Sequence, residues 1–147
     1  MFKKILIIFF FFVELSSYAN DEYFLTLRND KVNLRQGPSK EYPIKLFYKK
    51  KFLPVLIQDK SYNFRKIRDH ENNSGWIHIS QLSKEKSAIT VDDNLLLFKR
   101  RTVYSEPLAI LKKGRLCKIL KCKNEWCKVK IENYTGWVKS ESLWGRL

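Results

Sequence analysis

The chain has 147 residues, with 29 Lys+Arg against 15 Asp+Glu and a formal net charge of +14. That length holds one domain or two very small ones. So large a positive charge attracts polyanions or acidic surfaces and carries no information about fold. With two histidines and three cysteines, little material exists for metal or nucleophilic chemistry.

In chain order, Met1-Phe2-Lys3-Lys4 is a short positive start, Ile5 to Val13 is an unbroken apolar run, and Ser17-Tyr18-Ala19 places small residues before a cleavage point. This order predicts a secretory signal peptide over 1–19. Glu14 ends the run far short of the roughly 20 apolar residues that a membrane span needs. The mature chain is then expected in the periplasm or secreted. Polyanions there include cell-wall carboxylates, anionic lipid or lipopolysaccharide, and acidic proteins. Membrane contact is expected only through the signal peptide or weak electrostatic attraction, and nucleic acid without a dedicated site.

Short β-branched or aromatic runs follow. They predict strands near Val32–Arg35, Ile44–Tyr48, Leu53–Gln58, Phe64–Arg68 and Gly75–Ile79. Ser83 to Asp93, rich in charge, is the expected junction, with close-packed halves because no Gly/Ser-rich tract occurs. The second half predicts strands near Leu95–Lys99, Leu108–Leu111, Leu116–Lys121, Trp126–Ile131 and Gly136–Lys139. The halves share one grammar. Ser74-Gly75-Trp76-Ile77 returns sixty-one positions later as Thr135-Gly136-Trp137-Val138, and Leu82 returns as Leu143. Phe64-Arg65-Lys66-Ile67 matches Trp126-Cys127-Lys128-Val129, and Tyr48-Lys49-Lys50-Lys51 matches Leu111-Lys112-Lys113-Gly114. The last match sets Lys51 against Gly114. Five short strands per half leave many edges, and closing each half into a barrel removes them.

Val32-Asn33-Leu34-Arg35-Gln36-Gly37-Pro38-Ser39 resembles the opening of bacterial SH3 domains, and Gly75-Trp76-Ile77 and Gly136-Trp137-Val138 resemble their closing element. Leu143-Trp144-Gly145 is similar to the ending of short exported alphaproteobacterial members. The resemblance implies an all-β chain: two tandem small SH3-like barrels, 23–83 and 88–147, after the signal peptide. It implies a cell-wall or adaptor role and no catalytic residues. The second half departs from the opening motif, since Asn94-Leu95-Leu96-Leu97-Phe98-Lys99-Arg100 lacks the Gly-Pro. A groove built on that loop would be lost there.

The glycine before each Trp implies a positive φ or a close backbone approach. Alternation puts Ile77 and Ile79 on one face of a strand and Trp76 and His78 on the other. Likewise Val129 and Ile131 oppose Trp126, Lys128 and Lys130. Each half thus carries an aromatic-plus-basic face. Such a face can stack on sugars and pair with carboxylates, or its rings can pack under loops and between domains. The candidate ligand residues are Arg35, Tyr42, Tyr48, Phe64 and Trp76 in the first half, and Trp126, Tyr134 and Trp137 in the second.

Cys122 and Cys127 flank Lys123-Asn124-Glu125-Trp126, read as a four-residue hairpin loop. In that register 122 faces 127, 120 faces 129 and 117 faces 132, so a Cys122–Cys127 disulfide is expected. Cys117 and Cys122 on one strand lie roughly 16 Å apart at about 3.3 Å per residue. Cys117 is left free, with an intermolecular bridge as the alternative. His70 and His78 lie in one half and all the cysteines in the other, so no nucleophile–base pair, zinc site or phosphate loop can be assembled. No cofactor, metal or enzymatic activity is expected. The sequence supports an exported binding module for peptidoglycan or its peptide stems, or an envelope adaptor that binds a peptide segment of a partner protein.

Overall fold

The computed structural model describes residues 21–147; the expected signal peptide lies outside the described residues. The strands of the first half are β1 (Tyr23–Leu27), β2 (Val32–Arg35), β3 (Ile44–Tyr48), β4 (Pro54–Ser61), β5 (Phe64–Arg68), β6 (Ser74–His78) and β7 (Leu82–Ser83). Those of the second are β8 (Ser87–Thr90), β9 (Leu95–Phe98), β10 (Pro107–Leu111), β11 (Leu116–Lys123), β12 (Trp126–Ile131), β13 (Tyr134–Lys139) and β14 (Leu143–Gly145). The first sheet runs β3-β2-β6-β5-β4-β1-β7 and the second β10-β9-β13-β12-β11-β8-β14. Every strand of the second sheet therefore occupies the place of the strand seven before it. The chain is all-β, two tandem SH3-like barrels.

Alternation builds each core. Val32 and Leu34 of β2, Ile67 of β5 and Ile77 of β6 are fully buried, as are their counterparts Leu97, Val129 and Val138. Gly75 and Gly136 are explained by close approach. A Cβ on Gly75 would lie 2.7 Å from the Arg35 carbonyl oxygen, and one on Gly136 would lie 2.7 Å from that of Phe98. The two glycines thus admit β2 and β9 against β6 and β13.

The sequence reading needs four corrections. Each half has seven strands, not five. Tyr23–Leu27 and Ser87–Thr90 lie outside the runs read as strands, and β7 and β14 are very short. Ser87–Thr90, assigned to the junction, is a strand buried along its whole length, so it shows no alternation. The β11–β12 hairpin closes with Lys123 opposite Trp126, leaving only Asn124 and Glu125 in the turn, both at positive φ (48° and 66°). A bulge between Ile119 and Lys121 sets Ile119, not Leu120, against Val129. Finally, the partner of Gly114 is Phe52, not Lys51. Both have positive φ (82° and 65°), and each amide donates at 2.8 Å to the preceding first strand, to Thr90 and Leu27 respectively.

The barrels pack together. Ala88 belongs to the second core, while Ile89 joins the first, so alternation turns β8 to both barrels. The Ser87 hydroxyl donates to the Phe52 carbonyl. Arg146 Nη1 donates to the Phe24 carbonyl at 2.8 Å, and Phe24 meets Trp144 edge-to-face at 4.8 Å.

Candidate functional site

The opening loop of the first barrel is held from within. Arg35 ends β2 opposite Trp76 and donates through Nη1 to the carbonyls of Lys40 (3.2 Å) and Tyr42 (3.0 Å). The Tyr42 ring lies against Gly37, where any side chain would collide with it. The loop between β2 and β3 is thus tied to the end of β2.

Beside that loop is a groove of about 410 Å³. Lys31, Asn33 and Arg35 enter it from β2 and the residue before it, alternating with buried Val32 and Leu34. Lys40 comes from the loop, Phe64 from β5, His78 from β6, and Ser80 and Gln81 from the 3-10 turn Ile79–Gln81. The lining holds three cations and no carboxylate. His78 Nδ1 accepts from the Ser80 amide at 3.2 Å and lies 2.7 Å from its hydroxyl. A neutral His78 therefore carries its proton on Nε2 and is a further donor. Phe64, itself buried at 7% exposure, meets the imidazole edge-to-face at 5.1 Å and gives the lining only a small apolar area.

Of the residues expected from the sequence, the groove unites Arg35 and Phe64. Tyr42 buttresses the loop and Trp76 lies half-buried beside Arg35. Tyr48 is not a surface residue: it is buried, and its hydroxyl donates at 2.9 Å to Asp69 Oδ2. Asp69 is itself 2% exposed and also accepts from the amides of Glu71 (2.9 Å) and Asn73 (2.8 Å) and from Asn73 Nδ2 (2.9 Å). This carboxylate shapes the β5–β6 turn, and Tyr48 serves it. Sequence reasoning missed Lys31, Asn33, Lys40, Ser80 and Gln81, and placed His78 on the same strand face as Trp76 without naming it a ligand residue. Period-2 alternation along Lys31–Arg35 carried a signal for the first two, while the 3-10 turn left none.

In the second barrel the equivalent place is lined by different side chains. Phe98 stands opposite Trp137 as Arg35 stands opposite Trp76, and it packs edge-to-face on Trp126 at 5.9 Å. Leu96 replaces Asn33 and Lys139 replaces His78. Tyr134 is not brought to these rings; it lines a separate cleft of about 230 Å³ with Ile110 and Glu132. A larger cleft of about 660 Å³ at the barrel junction, by Arg28, Lys51, Phe52 and Glu85, contains none of the expected residues.

Cys122 and Cys127 form a disulfide directly across the hairpin, with Cα atoms 4.0 Å apart. Cys117 is free and buried, its thiol 3.4 Å from the Ala88 carbonyl that accepts from it. Burial pushes this thiol up to about 12, far from the range of a nucleophile. Among the described residues, no three His, Cys, Asp or Glu side chains converge to hold a metal ion.

The sequence model of the family described as bacterial SH3 domain matches residues 28–84 and 94–145. No curated protein matches the chain. Among solved structures, it is similar to NlpC2 from Trichomonas vaginalis, at 14% identity and a TM-score of 0.39, covering 88% of this chain and 50% of that one. NlpC1 from the same organism gives 14% identity and a TM-score of 0.38, covering 87% and 47%. An NlpC/P60 family protein from Bacillus cereus gives 11% identity and a TM-score of 0.38, covering 83% and 56%. The chain spans about half the length of these proteins.

Proposed function

The chain belongs to the bacterial SH3 domain family, and from that premise we propose that it is an exported, non-catalytic binding module whose first barrel engages the peptide stems of peptidoglycan. One observation carries the reading: a groove with Lys31, Arg35 and Lys40, no carboxylate, and hydrogen-bonding groups on Asn33, Ser80 and Gln81, with Phe64 in the lining. A short peptide with free carboxylates and small side chains suits that lining. Its charges pair with the cations, its amides find partners, and a small side chain meets the little of Phe64 that is exposed. The Cys122–Cys127 bridge supports an oxidising compartment, the periplasm or the exterior. The second barrel, with Phe98 in the place of Arg35 and Leu96 in the place of Asn33, does not repeat that lining.

The test is co-sedimentation with purified sacculi over a salt series, using the chain from Asn20 onward. Retention that survives about 0.3 M salt, where the Debye length falls to roughly 6 Å, and that is lost in Lys31→Glu/Lys40→Glu, is the expected result. Competition by a free stem peptide distinguishes the wall from an acidic segment of an envelope protein. Sacculus binding unchanged in the double variant would rule the groove out.

A further inference from the structure

The outer face of β11, β12 and β13 forms a grid of three strands and three rungs. Lys123, Trp126 and Lys139 form one rung; Lys121, Lys128 and Trp137 the next; Lys118, Lys130 and Thr135 the third. Six of its nine positions are lysine and none is acidic. At about 4.8 Å between strands and about 7 Å between alternate residues, the grid spans roughly 10 by 14 Å. Five of the six lysines are exposed and Lys128 is half-buried. None forms an ion pair within the described residues. The nearby carboxylates sit off the face: Glu125 and Glu132 in the hairpin turns, the latter paired with Arg115, and Glu141 in a 3-10 turn.

This arrangement works against the fold. Like charges directly opposite one another in an antiparallel pair are destabilising, and here Lys121 faces Lys128 while Lys118 faces Lys130. The first barrel shows what the same scaffold does otherwise. There Asp59 faces Lys66 and Leu56 faces Arg68, with Ser61 in the place of Lys123. The second copy has reversed a sign and added charge on one face only.

We propose that this face docks on the phosphate headgroups of an anionic lipid layer. The array is two-dimensional, so a surface of phosphates can meet lysines of all three rungs, whereas a linear polyanion meets one row. The tryptophans argue against sugar stacking. The ammonium of Lys139 lies 5.9 Å from the Trp126 ring centre, and that of Lys121 lies 5.6 Å from Trp137. These rings carry cations toward the surface and offer no free platform. The proposal stands apart from the groove of the first barrel, whose sacculus binding is a separate measurement.

The test is co-sedimentation with vesicles of phosphatidylcholine alone or with about one-third phosphatidylglycerol. The unaltered chain should bind only the anionic vesicles. Lys121→Asp/Lys123→Ser removes three charges and installs side chains that the first barrel carries at the same places. At about 1 kcal/mol per lysine near an anionic surface, affinity should fall about a hundredfold. The control Lys50→Asp/Lys60→Ser removes the same charge from the first barrel and should lose less than about threefold. Should the face variant unfold, Lys121→Gln/Lys128→Gln gives the same reading without an added acid. Equal losses in face variant and control, or no loss in the face variant, would overturn the proposal. So would a chain that ignores anionic vesicles while its lysine face binds dextran sulfate.

Discussion

Replacing Gly75 or Gly136 with alanine perturbs both barrels at one equivalent point. The new Cβ at Gly75 falls 2.7 Å from the Arg35 carbonyl oxygen and 2.8 Å from Leu34 Cγ. At Gly136 the distances are 2.7 Å to the Phe98 oxygen and 2.8 Å to Leu97 Cγ. A comfortable carbon–oxygen approach is about 3.3–3.6 Å, so β2 or β9 must retreat by about 0.6 Å. Leu34 and Leu97 are both 0% exposed, so neither can swing aside. Overpacking of this kind costs roughly 1–3 kcal/mol, offset by about 0.4–1 kcal/mol from the stiffer unfolded chain. The net loss is about 1–2 kcal/mol for each substitution. For a chain of this size that lowers Tm by roughly 3–10 °C. Thermal and urea unfolding of the two single variants is the assay. Equal and clear losses support the duplicated scaffold. An alanine tolerated at either site without loss would refute the close-approach explanation, and a loss at one site alone would refute the equivalence.

The Tyr48–Asp69 bond gives a pH signature. Burial first, then the Asp69 charge and hydrogen bond, then Glu71, push the phenol above its ordinary value of about 10. The folded chain then keeps a proton that the unfolded chain releases, so this contribution is complete below pH 10 and is lost as pH rises beyond it. Tyr48→Phe should cost about 1.5–3 kcal/mol at neutral pH and flatten the alkaline limb of the stability profile. Parallel profiles between pH 8 and 11 would contradict the assignment. Iodoacetamide at pH 8 should leave the native chain unmodified and alkylate one thiol, Cys117, once it is unfolded. Non-reducing mass spectrometry should find Cys122 linked to Cys127, and two further reactive thiols would contradict it. Cys122→Ser/Cys127→Ser should cost no more than about 2 kcal/mol, because the closed loop is short.

The repeat made the fold legible. Gly75-Trp76 and Gly136-Trp137 mark equivalent corners, and β2, β3, β5 and β12 have the bounds that the β-branched runs suggested. Hidden strands were those with unusual surroundings. β8 is packed on both faces and shows no period of two, and β7 has only two residues. The site was half legible. Arg35 and Phe64 stood out by type, but the ring of Tyr48 reads the same in a sequence whether it faces a ligand or a buried Asp69. Ser80 and Gln81 reach the groove from a 3-10 turn, which leaves no periodic signal in the sequence. The lysine face needed strand register, since a bulge at Leu120 shifts Lys118 onto the same side as Lys121 and Lys123.

The most direct measurement is a nuclear magnetic resonance titration of the isotope-labelled mature chain with a soluble peptidoglycan stem peptide. Saturable shifts at Asn33, Arg35, His78 and Ser80, with Leu96, Phe98 and Lys139 unmoved, are the predicted result. Shifts absent from the groove, or spread equally over both barrels, would contradict it.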